Sequence, residues 1–484
     1  MSETKRAVVL GAGMAGILAA IKLRETPNVD VVVYEKSDRV GGTWRENTYP
    51  GLTCDTPSHH YTYSFARNPN WSSYLPPGPE IQSYFEGVAE RFGVYPLTHF
   101  GEECIKAEFL NGKWELEFAS GHKDSAEILI AATGVLHHPS MPDIEGASDF
   151  KGALFHSSRW DHSIPLEDKR IAVIGSGSTG VQICSALAGK VAQFEHFVRT
   201  PQWIMPVDNT PFTAEQIASF QDPDVLAEAM DFEGYAAAVN AYTEALLDDQ
   251  SEMAQQMAGA CLMNLEQSVQ DPELKEALRP DHKAMCKRLI FSPDYYQAIQ
   301  RPKTRLVRSG IKRIVENGIE TEDGELHELD IIVYATGFQA DRFVRPMDVI
   351  GRNGVSLNTL WADYPKAYLA LSVPDFPNFF MLNGPNGPVG NFSLVEIAEN
   401  QWGWVEQLLE PVLSGAASEV CCTAEGMITY EARREEAARK TVWYTGGCNS
   451  WYLNAAGIPA SWPWTFKDFE AAMANPVWAD IDLR

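Results

Sequence analysis

Short β-branched runs followed by helical spacing of apolar residues occur twice along this chain. Ala7 to Leu10 reads as a buried strand, Ile17 to Leu23 as a helix, and Val29-Asp30-Val31-Val32-Val33-Tyr34-Glu35 as a second strand. The same order returns at Lys169 to Ile174, Val181 to Leu187 and Phe194 to Thr200. Between the two blocks, alternation such as Trp114-Glu115-Leu116-Glu117-Phe118 predicts antiparallel strands over 104–132, turning near Gly121. Residues 43–100, rich in Pro, Gly, Tyr and Trp, read as loops packed over a ligand. Glu127 to Ala132 predicts a buried strand ending in Thr133-Gly134, and Glu328 to Ala335 echoes it, ending in Thr336-Gly337. From Pro206 to about Lys283 the period is helical, opened by a capping box at Thr213-Ala214-Glu215-Gln216. Met230, Met253, Met257 and Met263 in this stretch are expected to fill gaps between helices.

Each strand-to-helix junction is a G-x-G-x-x-G turn: Gly11-Ala12-Gly13-Met14-Ala15-Gly16 and Gly175-Ser176-Gly177-Ser178-Thr179-Gly180. Such turns let a pyrophosphate approach the backbone at a helix N-terminus, and the strand–turn–helix context is the one that chemistry needs. The strand after the first turn ends in Glu35, followed by Lys36, where a carboxylate suits a ribose 2′-hydroxyl and repels a 2′-phosphate. The strand after the second ends in Arg199-Thr200, and a guanidinium grips a phosphate with paired hydrogen bonds. The first site therefore suits FAD and the second NADPH, with Ser176, Ser178, Thr179 and Thr200 as further contacts.

The length of 484 residues allows two or three domains, and 45% hydrophobic with 21% charged residues describes an ordinary globular chain. A net charge of −26 argues against nucleic acid or anionic membrane partners. The eight cysteines include no C-x-x-C pair, so neither a zinc site nor a disulfide framework is expected, and a reducing, cytoplasmic compartment fits. The opening Met1-Ser2-Glu3-Thr4-Lys5-Arg6 leads directly into the first strand without the pattern of a signal peptide, and no window has the apolar length of a membrane span.

Phe150-Lys151-Gly152-Ala153-Leu154-Phe155-His156-Ser157-Ser158-Arg159-Trp160-Asp161 is, residue by residue, a loop with one histidine and no evident partner for it. It nevertheless resembles, position for position, the F-x-G-x-x-x-H-x-x-x-W-[P/D] signature of class I Baeyer–Villiger monooxygenases, within the flavin-containing monooxygenase superfamily. Gly41-Gly42-Thr43-Trp44 through Tyr49-Pro50-Gly51 to Asp55 is similar to that family's longer signature, and Ala335-Thr336-Gly337-Phe338 with Asp341 to a third. Cys286-Lys287-Arg288-Leu289 resembles the stretch carrying the family's active-site arginine, and Asn449-Ser450-Trp451 a loop that orders over NADP. Unlike many members, the chain has almost no N-terminal extension and continues after Trp44 as Arg45-Glu46-Asn47.

The resemblance implies that reduced flavin and O₂ form a C4a-peroxide that attacks a ketone, giving an ester or lactone. Arg288 is the expected cation beside it and Asp55 the expected counter-charge. Gly42, Thr43, Trp44, Asp55, Tyr61, Thr133 and Gly134 are assigned to FAD; Lys287, Ala335, Thr336, Gly337 and Trp451 to NADP, Trp451 being lid or core aromatic with equal weight. Trp71, Tyr61 and Phe392 suggest an apolar ketone pocket, and Gly384-Pro385-Asn386-Gly387-Pro388 is expected beside the flavin ring. The fold class expected is α/β with two doubly wound Rossmann-type domains: 1–140 with 341–484 for FAD, 141–206 with 286–340 for NADP, and 207–285 as a helical insertion. The alternatives are an N- or S-oxygenating flavin monooxygenase, against which Trp160-Asp161 and the Asp55–Arg288 pair speak; a disulfide reductase, for which Cys54 lacks a redox partner nearby in sequence; and a non-catalytic nucleotide-binding module. The ketone and the oligomeric state are not readable.

Overall fold

The computed structural model describes residues 3–388, 390 and 392–484; Met1 and Ser2 of the opening stretch lie outside them. Two five-stranded parallel sheets carry the architecture. In the first, the order is Phe379–Met381, Ile128–Ala131, Lys5–Leu10, Val29–Glu35, Thr98–Phe100. In the second it is Thr304–Val307, Gln193–Phe197, Arg170–Ile174, Ile331–Tyr334, Ala153–His156. Helices cover these strands, so the central ones are near-continuous apolar runs instead of alternating ones. From the strand that precedes each glycine turn, the chain goes to one neighbour while the other neighbour comes from later in the sequence. That reversal opens a crevice at the carboxyl ends of the strands, where an α/β sheet binds its ligand.

The two turns are built alike. Gly11 and Gly175 have φ of +99° and +122°, which an L side chain rarely adopts. A Cβ on Gly16 would lie 1.8 Å from the Gly11 carbonyl oxygen, and one on Gly180 2.0 Å from that of Gly175. The third glycine of each turn thus lets the helix close on the turn itself.

The expected antiparallel strands are Cys104–Leu110, Lys113–Phe118 and Lys123–Ala126, joined by Asp348–Ile350. A corresponding three-stranded layer, 311–328, precedes the last central strand of the second sheet. The 43–100 stretch departs from the loop expectation. Gly78–Arg91 is a helix with Pro at its N-terminus and Ile81, Phe85, Val88 and Ala89 buried. The prolines that suggested a loop pre-set its first turn.

Helices Ala214–Ser219, Pro223–Met230, Phe232–Leu247, Glu252–Ser268 and Pro272–Ala277 form the insertion, and Thr213 and Gln216 make the predicted capping box. Its base is a parallel ribbon in which Ile204–Pro206 pairs with Ile290–Ser292. Met230 is buried and Met253 and Met257 pack against a core, whereas Met263 is exposed. Among the described residues, no helix is long and apolar enough to cross a membrane. The reading of the cysteines requires correction, because Cys286 and Cys448 form a disulfide. Spacing arithmetic sees neighbours in sequence, and these two lie 162 residues apart.

Gly180→Ala is expected to lower the thermal midpoint by the equivalent of about 1–3 kcal/mol, the usual overpacking cost, because its new methyl meets backbone. An unchanged melting curve would show that the turn tolerates a side chain there.

Candidate active site

Both crevices open into one cavity of about 1200 Å³. Gly11, Gly13, Met14, Ala15, Glu35, Lys36, Gly42, Thr43, Trp44, Asp55, Tyr61, Thr133 and Gly134 line one end. Gly175, Ser176, Gly177, Ser178, Thr179, Arg199, Thr200, Lys287, Ala335, Thr336 and Gly337 line the other, with Arg288 and Trp451 also in the wall. Gly16 and Gly180 lie beneath the turns they close.

At the first turn, the Ala12 N–H donates to Glu35 Oε2 at 2.7 Å and the Ser37 N–H to Oε1 at 2.9 Å. Glu35 is thereby fixed at the strand end, and a carboxylate so bonded keeps lone pairs for a further hydroxyl. A Cβ on Gly42 would meet Gly13 Cα at 2.9 Å, so the two glycines form a bare backbone cradle. The Trp44 indole N–H donates to the Tyr61 hydroxyl at 3.2 Å across an edge-on ring contact. The buried Asn383 Oδ1 in the wall has no partner among the described residues. An orphaned acceptor beside a glycine cradle fits a polar ring system such as a flavin.

At the second turn the Ser176 hydroxyl donates to the Thr200 carbonyl at 2.8 Å. Arg199 is exposed at the strand end, and Arg308 donates from Nη1 to the Val198 and Arg199 carbonyls at 2.9 and 3.0 Å. Lys287 completes a cluster of cations with no ion pair among the described residues. Burial, and then the Arg199 charge, hold the Lys287 ammonium below the usual lysine range. Uncompensated cations at the end of a nucleotide crevice fit a phosphate monoester. Sequence reading missed Arg308; the signal was available, since it follows the strand beside Gln193–Phe197, the one that leads to Arg199.

Arg288 and Asp55 meet between the two ends. Nε donates to Asp55 Oδ2 at 2.7 Å, Nη2 to Oδ1 at 2.8 Å, and Nη1 to the Gly390 carbonyl at 2.7 Å. Burial is the largest influence on the Asp55 carboxyl and pushes it up, but the Arg288 charge and the hydrogen bonds to the carboxylate together outweigh it and hold the group below the usual carboxylate range. Burial likewise disfavours the guanidinium, yet Asp55 keeps it firmly protonated. The result is a fixed cation in a cavity wall.

The Phe150–Asp161 stretch lies outside the cavity. Its strand pairs with Ile331–Tyr334, and His156 Nε2–H donates to the Gly337 carbonyl at 3.0 Å. Burial lowers the His156 pKa, so the ring is the neutral donor that fastens the Ala335-Thr336-Gly337 turn. A Cβ on Gly152 would lie 2.3 Å from the Asp330 carbonyl oxygen, Phe150 is core, and Trp160 packs edge-on against Phe155. Asp161 is exposed and accepts from Ser163. His196, not singled out in the sequence, does for the glycine turn what His156 does for its neighbour. Its Nε2–H donates to the Gly175 carbonyl at 2.8 Å, and burial pushes its pKa down to about 4.

Other expectations shift. Trp451 is 42% exposed, lines the cavity and stacks on Tyr452, so it is not core. Tyr61 and Phe392 line the cavity, whereas Trp71 is fully buried against Tyr84. Gly384 packs on the Ala370 carbonyl, 2.3 Å from where its Cβ would stand, so its glycine serves packing; Asn383 and Gly390 on either side line the cavity instead. Gln182, also missed, accepts from the Tyr49 hydroxyl at 2.8 Å and docks the Tyr49-Pro50-Gly51 segment on the helix after the second turn.

Comparison with known proteins agrees with this geometry. Residues 5–225 match the pyridine nucleotide-disulphide oxidoreductase family. An uncharacterized monooxygenase of Mycobacterium tuberculosis is 44% identical over 98% of this chain and 95% of that protein. A Baeyer–Villiger monooxygenase of Streptomyces coelicolor is 34% identical over 96% of this chain and 90% of that one. The crystal structure of cyclohexanone monooxygenase from Rhodococcus sp. Phi1 bound to NADP+ superposes with a TM-score of 0.88 at 30% identity, each chain covered in full. With both nucleotide crevices facing one Asp55-anchored arginine, the chain belongs to the Baeyer–Villiger monooxygenase family.

Proposed function

We infer that this protein is an FAD-dependent, NADPH-consuming monooxygenase that inserts one atom of O₂ next to a ketone carbonyl. Ketone, O₂, NADPH and a proton give ester or lactone, NADP+ and water. The bound flavin, reduced by NADPH, supplies the two electrons that activate O₂. The observation that carries the reading is the bidentate Arg288–Asp55 pair in the cavity shared by both glycine turns.

The chain's own residues divide the remaining work. Residues 1–140 and 341–484 are assigned to FAD, with Glu35 taking the ribose and Asn383 facing the ring system. Residues 141–206 and 286–340 take NADPH, with Arg199, Lys287 and Arg308 around its 2′-phosphate. Arg288 is a permanent cation in a low-dielectric wall, so it stabilises an oxyanion without reorganising. Asp55 holds its plane fixed, and the exposed Trp451 covers the nucleotide. Leu52, Phe392 and Leu394 in the wall support an apolar ketone. The excess of acidic residues supports a reading without nucleic-acid or anionic membrane partners.

Arg288→Ala is expected to leave NADPH oxidation measurable while ester formation, read by gas chromatography, falls by roughly 10²–10³-fold, the cost of one preorganised oxyanion donor. The consumed O₂ then appears as H₂O₂. Arg288→Lys restores little, because an ammonium cannot make the two-point contact. Ester yield near wild type in Arg288→Ala would remove the arginine from the mechanism; sulfides oxidised while no ketone is consumed would favour the heteroatom oxygenase.

Arg199→Ala and Lys287→Ala are each expected to lower kcat/KM for NADPH by roughly ten- to a hundredfold, about 1.5–3 kcal/mol per charge-assisted contact. NADH should be almost unaffected. The Lys287 ammonium, held low, loses its proton before an ordinary lysine would. Preference for NADPH in kcat/KM, which follows the free enzyme, should therefore decline as pH rises through that range. Equal losses for both nucleotides would show that the cluster does not read the 2′-phosphate.

A further inference from the structure

The Cys286–Cys448 disulfide joins the two segments that border the nucleotide end of the cavity. Its Cα atoms lie 6.1 Å apart, within the ordinary range for such a bond. Cys286 directly precedes Lys287 and Arg288, and Cys448 directly precedes Asn449, Ser450 and Trp451; all five of those neighbours line the cavity. Between the helices Val442–Thr445 and Phe466–Ala474 the chain has no regular element beyond one bridge, Leu453 to Pro459. The far end of this loop is anchored, Arg434 Nη1 donating to the Pro459 carbonyl at 2.6 Å and the Trp462 N–H to the Gly387 carbonyl at 3.2 Å, so Trp451 itself depends on the holds beside it. One is Tyr452, buried and stacked on Trp443 and Trp451 at 4.8 and 4.1 Å. The sulfur bridge is another.

The seat for that bridge is built into the backbone. A Cβ on Gly446 would lie 2.7 Å from both Cβ and Sγ of Cys286, so only glycine lets the chain pass there. Cys286 is fully buried and Cys448 half-buried, which gives solvent reagents access from one side. The other six cysteines are free; Cys54, Cys184, Cys261, Cys421 and Cys422 are buried and Cys104 is half-buried. Burial raises the pKa of each, which leaves them poor nucleophiles.

We propose that Cys286 and Cys448 form a reversible thiol–disulfide switch that fastens the Trp451 loop over the nicotinamide nucleotide when oxidised and frees it when reduced. The proposal rests on the nucleotide site assigned above. The oxidant is H₂O₂, the product of O₂ and the two electrons of NADPH when no ketone takes the oxygen. Cys448 Sγ attacks the peroxide, giving a sulfenic acid and one water. Cys286 Sγ then displaces the hydroxyl, forming the S–S bond and a second water. Overall two thiols lose two electrons and two protons, and one peroxide becomes two waters. Reduction runs by exchange with two equivalents of a small-molecule thiol, which leave as their own disulfide. Peroxide leakage would thereby hold NADP+ in place and slow further uncoupled turnover.

The test uses the full-length holoenzyme, one sample treated with H₂O₂ and one with dithiothreitol, both desalted. Peptide mapping without reductant reads the bond, and stopped-flow displacement reads NADP+ release. The expected result is a peptide cross-linked through Cys286 and Cys448 only in the oxidised sample, with NADP+ leaving it on the order of tenfold more slowly, since tethering acts mainly on dissociation. Cys448→Ser, at the half-buried position, should release NADP+ at the fast rate after either treatment. Absence of the cross-linked peptide after peroxide, or equal release rates from the two wild-type samples, overturns the switch. If NADP+ binds neither sample, the nucleotide reading itself fails, and the peptide map, which does not depend on the nucleotide, tells the two failures apart.

Discussion

A guanidinium held in a cavity wall is costly to keep out of bulk water, and the arrangement around Arg288 is what makes it tenable. The carboxylate of Asp55 meets it at two points and the Gly390 carbonyl at a third. A half-buried cation lacking these partners would be destabilising, because part of its hydration is lost with nothing in exchange. The partners come from positions 233 and 102 residues away, so the pair forms only if the three chain segments are brought to one place. Each large element can be understood as serving that requirement. The first sheet delivers the loop that ends in Asp55, and the second positions the helix on which Tyr49-Pro50-Gly51 docks through Gln182. The strand Phe379–Met381 returns the chain to the first sheet just before the Gly390 turn.

The same logic of fixed backbone recurs at the nucleotide turns, with different chemistry on each side. A carboxylate, Glu35, ties the first turn by accepting from the Ala12 N–H. A neutral imidazole, His196, ties the second by donating to the Gly175 carbonyl. His156 repeats that solution at the Gly337 carbonyl. The histidine of the Phe150–Asp161 stretch is therefore a fastener between strands of the second sheet.

How much of this could be seen in the sequence follows from how local each signal is. The glycine turns, the strand-end residues Glu35 and Arg199, and the helical insertion are written in consecutive residues, and all are readable there. The pairing of Asp55 with Arg288 came from resemblance, because nothing in spacing links residues so far apart. Gln182, Asn383 and His196 carry no local mark; each matters through a partner in a distant segment. The Gly78–Arg91 helix was hidden by the prolines at its start, which look like loop residues until their place in the first turn is known. The Cys286–Cys448 bond lay beyond reach for the same reason as the ion pair.

The helical insertion begins and ends on two strands paired side by side, Ile204 opposite Ile290. Its entry and exit therefore stand one strand spacing apart, about 4.8 Å, whatever lies between them. A segment attached in this way can grow, shrink or be exchanged while the sheets below keep their register. Yet Trp443 and Tyr452, beside the Arg288 segment, pack against it. The two sheets thus keep the frame of the cavity fixed while the insertion forms an exchangeable side wall, so a new pocket needs changes in the wall alone.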